Sequence, residues 1–230
     1  MGGKAWLVSF SVVVFVAITA CASETSETVP SGSSGAAMYS TPGGQTVELV
    51  DAAPDALALV DWAFGRFEAA DLPEPTVRRI GFAAGTPECE GVGGWAASGE
   101  TNAEITLCMD ISRVCVRHFD DVVFTIAGRM CILHELGHLW LSQYVAAPVA
   151  DDFMELTGAR RWRGPGAPWK ERGVEQAADT LAWGLLGEAT EILGRPLPPC
   201  ELLDDGFMIL TDTAPISTCR RAELVTTGER

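Results

Sequence analysis

The chain has 230 residues, with 16 Lys and Arg against 31 Asp and Glu, and its formal net charge is −15 at pH 7. A chain this acidic lacks the cationic surface that a phosphate backbone requires, which excludes nucleic acid as a partner. Anionic lipid headgroups would also repel it, so attachment to a membrane requires a separate anchor.

The first 20 residues have the pattern of an export signal. Lys4 gives a short positive region, and residues 6–20 are almost wholly apolar. This stretch is short for a membrane span but suits the core of a signal peptide. It ends in Ile18-Thr19-Ala20-Cys21, which resembles a bacterial lipobox. The resemblance implies a lipoprotein signal peptide at 1–20 and a lipid on Cys21, which would hold the exported protein on the extracytoplasmic face of the cell membrane. A plain secretory signal and a transmembrane anchor are the alternatives.

The next segment, residues 21–45, is predicted to be the lipidated cysteine followed by a flexible tether. It is rich in Ser, Thr, Gly, Pro and Glu and has few large apolar side chains, so it cannot bury enough surface to fold. Residues 46–230 are long enough to form one domain with a hydrophobic core.

Strands are predicted mainly in the first half of this domain, at Thr46–Val50, Thr76–Phe82 and Glu104–Met109. A helix is predicted over 55–70, a glycine-rich loop over 83–102, and a turn at 204–206. Because the strands cluster before the later helices, the order predicts an α+β domain with a small sheet.

A long helix is predicted at about 121–143, with Asp120 and Asp121 as candidate N-cap residues. It carries His134-Glu135-Leu136-Gly137-His138. Positions four apart lie on one face of a helix, so both imidazoles can bind one metal ion. This is the H-E-x-x-H arrangement of a zinc hydrolase, in which Glu135 lies beside the open coordination position and can act on a water there.

A catalytic zinc site normally takes a third protein ligand. The only other histidine, His118, lies before the predicted helix, so a downstream carboxylate is expected instead. Glu175 and Asp179 share one face of a second predicted helix, where one can bind the metal and the other can accept a hydrogen bond from a ligand histidine. Weaker alternatives, on a short separate helix, are Asp151, Asp152 and Glu155.

The H-E-x-x-H helix followed by an E-x-x-x-D helix resembles the gluzincin branch of the zincin metallopeptidases. The stretch Glu175–Leu186 is also similar to the short peptidases typified by ImmA/IrrE. The resemblance covers residues 121–187 and departs from the family in a long insertion after His138 and in Val174, where the family often has Asn. It implies a zincin-like domain with these site residues: His134, His138 and Glu175 as Zn²⁺ ligands, Asp179 as the residue that orients a histidine, and Glu135 as the catalytic base.

Taken with the export signal, this resemblance predicts a membrane-tethered zinc metallopeptidase that acts on peptide or protein substrates. In zincins the strand before the active helix commonly borders the cleft and pairs with an extended substrate. Glu104–Cys108 is the candidate strand, and an interior position for it is the alternative. The competing function is a non-catalytic surface lipoprotein that uses a zincin-like domain for binding.

The insertion over about 144–170 contains aromatic and basic residues, and the sequence leaves more than one role for them. Trp162 and Trp169 are expected to pack beneath the loop rather than to line a pocket. Stabilisation of the oxyanion could come from any of several residues, among which the spacing does not choose: Arg160, Arg161, Tyr144 and His118.

Cysteines other than Cys21 are even in number, which in an exported chain predicts three disulfides. They are Cys89, Cys108, Cys115, Cys131, Cys200 and Cys219. Sequence proximity favours the pair Cys200–Cys219 and pairings among the other four cysteines. Cys131 lies three residues before His134 and is expected to pair with Cys115 or Cys108, with metal binding as the alternative.

Overall fold

The computed structural model describes residues 36–89, 94–97, 103–109, 115–118, 121–164, 167–168, 171–187 and 198–217. The predicted signal peptide and Cys21 lie outside the described residues. The described residues form a mixed fold in which helices pack against a small sheet, consistent with the predicted α+β class.

The strands form two sheets. In chain order they are β1 (Ala37–Ser40), β2 (Thr46–Val50), β3 (Arg79–Phe82), β4 (Gly94–Ala97), β5 (Glu104–Leu107), β6 (Cys115–His118) and β7 (Asp121–Phe124). The larger sheet has the order β1-β2-β3-β5-β4, and the smaller is the antiparallel pair β6-β7. In the larger sheet β2, β3 and β5 run parallel, whereas β1 and β4 pair antiparallel at its two edges.

The helices of the described chain are α1 (Pro54–Ala69), α2 (Ile126–Tyr144), α3 (Ala147–Thr157), α4 (Gly173–Leu186) and α5 (Cys200–Thr211). The helix α2 contacts β4 and β5 of the sheet on one side and α4 on the other. The core therefore lies between the sheet and the helices, and α2 passes through its centre. Within the described residues, no helix combines the length and the apolar character needed to cross a bilayer.

The sheet begins earlier than the sequence predicts. The prediction of a flexible tether is wrong for residues 37–40, because these form β1 and pair with β2. Tyr39 anchors this strand: its ring is buried near Phe64, with 6.1 Å between ring centroids, and its hydroxyl donates to Asp61 over 2.8 Å. One buried aromatic side chain and a backbone ladder thus order a segment whose average composition is polar.

The predicted strands and the first predicted helix are present, but some of them begin or end at other residues. The strand β2 and helix α1 match the predicted positions, whereas β3 and β5 are shorter than predicted. The loop predicted over 83–102 contains β4, which pairs with β5. Residues 204–206, predicted as a turn, lie within α5.

The predicted start of the H-E-x-x-H helix is wrong. Asp121 is not an N-cap residue but begins β7, because the β-branched and aromatic residues that follow it favour a strand. The helix α2 begins at Ile126, and the hydroxyl of Thr125 caps it by accepting a hydrogen bond from the Gly128 amide over 3.2 Å.

The disulfides also differ from the prediction. Cys89 and Cys108 are bonded to each other. Cys200 is disulfide-bonded as well, and its predicted partner Cys219 lies outside the described residues. Cys131 carries a thiol inside α2, where burial raises its pKa to about 12. The predicted disulfide from Cys131 to Cys108 or Cys115 is therefore wrong, and the expectation of three disulfides is wrong with it.

Candidate metal centre

Close packing of α2 against α4 brings the predicted site residues together. The helix α2 is buried on every side over residues 130–137, as expected for a helix that crosses a core. Gly137 faces α4, and a methyl group added there would already lie 3.5 Å from the carbonyl oxygen of Ala178. Because small residues meet at this contact, the two backbones approach closely. The side chains of the predicted site residues on α2 and α4 can therefore reach one another.

The start of α4 is held by backbone hydrogen bonds from the preceding loop. The amide of Gly173 donates to the Arg161 carbonyl over 2.7 Å, and that of Val174 donates to the Trp162 carbonyl over 3.0 Å. These bonds satisfy amides that a helix start leaves without intrahelical partners. They also fix the first turn of α4, which contains Glu175.

Two imidazoles and one carboxylate converge between these helices. His138 Nε2 lies 3.1 Å from His134 Nε2. Glu175 Oε2 lies 3.2 Å from the first nitrogen and 3.5 Å from the second. This oxygen is buried and has no well-directed hydrogen bond within the described chain. The three side chains form a group that could hold a metal ion.

Asp179 fixes the orientation of one of these imidazoles. Its Oδ1 lies 2.9 Å from His134 Nδ1, and both groups are buried. A carboxylate only accepts hydrogen bonds, so Nδ1 carries the proton and donates it. The lone pair of Nε2 is then directed at the centre of the group, as metal ligation by a neutral imidazole requires.

The charges of the cluster favour a cation at its centre. Burial lowers the pKa of His134, but the neighbouring carboxylates of Asp179 and Glu175 outweigh burial and raise it to about 9. Burial raises the pKa of Glu175, but the imidazoles of His134 and His138 outweigh that effect and bring it to about 2. Both shifts show that the buried acids stabilise positive charge between the helices.

Glu135 lies beside the three side chains that could hold a metal ion, and all four line one pocket. Burial raises its pKa to about 7. The charge of His134 opposes this rise, whereas the charges of Glu175 and Asp179 add to it. Its Oε2 is buried and accepts no hydrogen bond within the described chain. A carboxylate in this state can accept a proton near neutral pH.

The edge strand β4 forms one wall of this pocket. Gly94 lies directly against Glu135: a methyl group added to Gly94 would be 2.8 Å from Glu135 Oε1 and 2.9 Å from the carbonyl oxygen of Thr106. The pocket has a volume of about 380 Å³. Four of the predicted site residues line it: His134, Glu135, His138 and Glu175. The rest of the lining is the three β4 residues Gly94, Trp95 and Ala96, the α4 residue Val174, and two arginines, Arg163 and Arg172.

The other sequence candidates lie elsewhere. The Tyr144 hydroxyl donates to the Glu74 carbonyl, and Arg160 and Arg161 do not line the pocket. The alternative ligands Asp151, Asp152 and Glu155 lie on α3, away from the metal-binding group.

His118 lies on β6, and Trp169 is outside the described residues. Trp162 packs edge-on against Phe153, as expected, with 6.2 Å between ring centroids.

Sequence reasoning missed three contributors to the pocket. The strand at the cleft is β4, not Glu104–Cys108, since β5 is an interior strand between β3 and β4. Arg163 and Arg172 also line the pocket. Helical spacing carries no signal for these residues, because tertiary contacts of the insertion and of β4 place them there.

Substitution of Asp179 by asparagine tests its contribution to metal binding. We expect Asp179→Asn to weaken Zn²⁺ affinity about 10- to 100-fold, because an amide can present its donor group to Nδ1 and favour the wrong tautomer. Competition with a chromogenic chelator measures this change. The matched control is Asp152→Asn, an exposed position on α3, which should bind as the unmodified chain does. Equal affinities for both variants would contradict the orienting role.

Comparison of the chain with protein-family models, with curated proteins and with solved structures gives no match.

Proposed function

We propose that this protein is a zinc-dependent metallopeptidase with a zincin-like domain. The observation that carries the proposal is the convergence of His134, His138 and Glu175, with Asp179 behind one imidazole and Glu135 in the adjoining pocket. A structural zinc site would instead be closed by four ligands, usually with several thiolates. Here the group is made of two imidazoles and one carboxylate, and it opens onto a pocket.

The spacing of the donor atoms supports zinc as the metal. Ligands placed about 2.0–2.1 Å from a tetrahedral zinc ion lie about 3.3 Å from one another. The separations between the two imidazole nitrogens and the carboxylate oxygen are 3.1, 3.2 and 3.5 Å. Two imidazoles with one carboxylate are also a ligand set used by catalytic zinc sites.

In the proposed mechanism Glu135 transfers a proton, and Asp179 holds the His134 ring in place. When bound, zinc supplies a Lewis acid that polarises a carbonyl and makes water more acidic. Glu135 accepts the proton of a water molecule whose oxygen attacks the peptide carbonyl carbon. The carbon–nitrogen bond then breaks, and Glu135 passes the proton to the leaving amine. Asp179 keeps the His134 ring in place throughout.

We also propose that the protein is exported and held on the outer face of the cell membrane by a lipid on Cys21. The support is the sequence Ile18-Thr19-Ala20-Cys21 after an apolar run. Mass spectrometry of the mature N-terminus tests this proposal. A diacylglycerol-modified cysteine is the expected first residue, and an unmodified mature N-terminus at another position would contradict it.

Metal removal and return test the peptidase proposal. The purified full chain is treated with a chelator, dialysed, and incubated with a randomised peptide library whose fragments are identified by mass spectrometry. We expect cleavage to disappear on chelation and to return with one equivalent of Zn²⁺. Cleavage that persists without metal would overturn the proposal. So would the absence of cleavage from zinc-loaded protein, which would favour a binding role.

A methyl group at Gly94 should impair catalysis without removing the metal. Alanine at this position displaces either the Glu135 carboxylate or β4, since both contacts are below 3.0 Å. We expect Gly94→Ala to lower kcat about 10- to 100-fold, because small displacements of a catalytic group are costly. Zinc content should not change, since the ligands lie on α2 and α4.

The matched control for this substitution is Gly81→Ala on β3, where an added methyl group meets its nearest atom, Thr106 Oγ1, at 3.7 Å. Such a contact is ordinary, so kcat should stay at the level of the unmodified chain. A Gly94→Ala variant with the same kcat as Gly81→Ala would contradict the placement of Glu135 by β4.

A further inference from the structure

Arg163 and Arg172 line the metal pocket, yet the proposed proton transfer uses neither. Arg163 is exposed and Arg172 is partly buried. Arg172 Nε donates to the Ala167 carbonyl over 3.4 Å. Among the residues that the structure describes, no carboxylate lies within ion-pair distance of either guanidinium. Both guanidinium groups therefore line the pocket without an ion-pair partner among the described carboxylates.

The backbone around both arginines is held by contacts with the start of α4 and with the core. Arg172 is the N-cap residue of α4, three residues before Glu175. Arg161 forms a parallel bridge with Arg172, and the neighbouring Trp162 ring packs against Phe153. Arg163 follows Trp162 directly, so its backbone is held next to the first turn of α4.

The charge balance of the pocket favours an anionic ligand. Glu135 and Glu175 supply two negative charges, and the two arginines supply two positive charges. A divalent cation held by the site leaves the pocket net positive, although the chain as a whole has a formal charge of −15. A guanidinium presents a planar set of donors that matches a carboxylate and stays protonated at every relevant pH.

We propose that Arg163 and Arg172 bind a carboxylate of the substrate, so that this peptidase acts on peptides bearing a carboxylate close to the scissile bond. The inference rests on the proposed peptidase function. The carboxylate comes either from the free C-terminus of a peptide or from an Asp or Glu side chain. In both cases the two arginines hold the substrate beside Glu135 and the metal-binding group.

The test measures binding separately from cleavage. Dye-labelled peptide pools, otherwise randomised, are prepared as two matched pairs: free C-terminal carboxylate or amide, and Glu or Gln at one fixed central position. Binding to the zinc-loaded full chain with the Glu135→Gln substitution is followed by fluorescence anisotropy, so that turnover does not consume the probe. We expect one carboxylate pool to bind about tenfold more tightly than its neutral counterpart. The pair that shows the difference identifies the source of the carboxylate.

Removal of the arginines should abolish this preference. In the Arg163→Ala/Arg172→Ala double variant the two pools of the responding pair should bind equally. The control is Arg160→Ala, which removes one positive charge from the exposed segment that also carries Arg163 without altering the pocket. It should keep the tenfold difference. Zinc content and the thermal unfolding midpoint are measured for each variant, which separates loss of recognition from loss of fold.

The outcomes distinguish this inference from the proposed function. Zinc-dependent cleavage with equal binding of charged and neutral pools would overturn carboxylate recognition and leave the peptidase proposal standing. A preference that survives in the double variant would also overturn it. A carboxylate preference that depends on the two arginines, without cleavage by the unmodified chain, would support the recognition site and overturn the peptidase proposal.

Discussion

Glu135→Gln is expected to abolish peptide cleavage while leaving the metal in place. Glutamine has the shape of glutamate but cannot accept the proton of the attacking water, and general-base catalysis contributes about 10²- to 10⁴-fold to the rate. Glu135 is buried, and its Oε2 accepts no hydrogen bond from the described residues, so the amide fits the same space without breaking a described contact. Measurement of kcat alongside zinc content tests both parts of this expectation.

Glu155→Gln provides the matched control for this variant. Glu155 is exposed on α3 and does not line the pocket, so its substitution should change neither kcat nor zinc content. A Glu135→Gln variant that retains zinc and cleaves within tenfold of the unmodified chain would remove Glu135 from the mechanism. A variant that loses zinc would show instead that Glu135 contributes to the metal site.

The second large effect is expected for Glu175→Ala, which removes the carboxylate from the metal-binding group. Two imidazoles alone should hold zinc much more weakly, by more than the roughly 100-fold that loss of an outer hydrogen-bond partner costs. Zinc at about 1,000 times its dissociation constant stabilises a protein by about 4 kcal/mol, which for a domain of this size raises the unfolding midpoint by about 10 °C. The unmodified chain should show this shift, whereas Glu175→Ala, with zinc at no more than about ten times its dissociation constant, should show at most about a third of it.

Calorimetric unfolding with and without zinc measures the difference. Glu171→Ala is the matched control, because Glu171 lies four residues before Glu175, ahead of the start of α4, and is exposed and outside the pocket. It should show the full shift of the unmodified chain. If Glu175→Ala were stabilised by zinc as strongly as Glu171→Ala, another group would hold the metal and the assignment of the third ligand would fail.

The proximity of the site residues within each helix could be predicted from sequence because it depends on local helical geometry. Positions four apart place His134 over His138 on one helix and Glu175 over Asp179 on another, and a small-residue contact then joins the two helices. Helical spacing does not show that the two helices face each other: the gluzincin resemblance implies it, and the contact at Gly137 is a finding of the structure.

The pocket wall could not be predicted in the same way. The strand β4 has the sequence Gly-Trp-Ala-Ala, which lacks the β-branched residues that mark strands, and it forms because it pairs with β5. Arg163 reaches the pocket because the residues before it are hydrogen-bonded to the start of α4. The false helix start at Asp121 has a related cause, since the sequence of β7 continues the apolar pattern of α2, although β7 pairs with β6 and Thr125 caps the helix after it.

X-ray absorption at the zinc edge of the purified full chain tests the metal site most directly. We expect one zinc per chain, with nitrogen and oxygen ligands at about 2.0–2.1 Å and outer-shell scattering from two imidazoles. Sulfur at about 2.3 Å would assign the metal to cysteine thiolates instead. That result, or a chain that retains no zinc, would contradict an ion held by His134, His138 and Glu175.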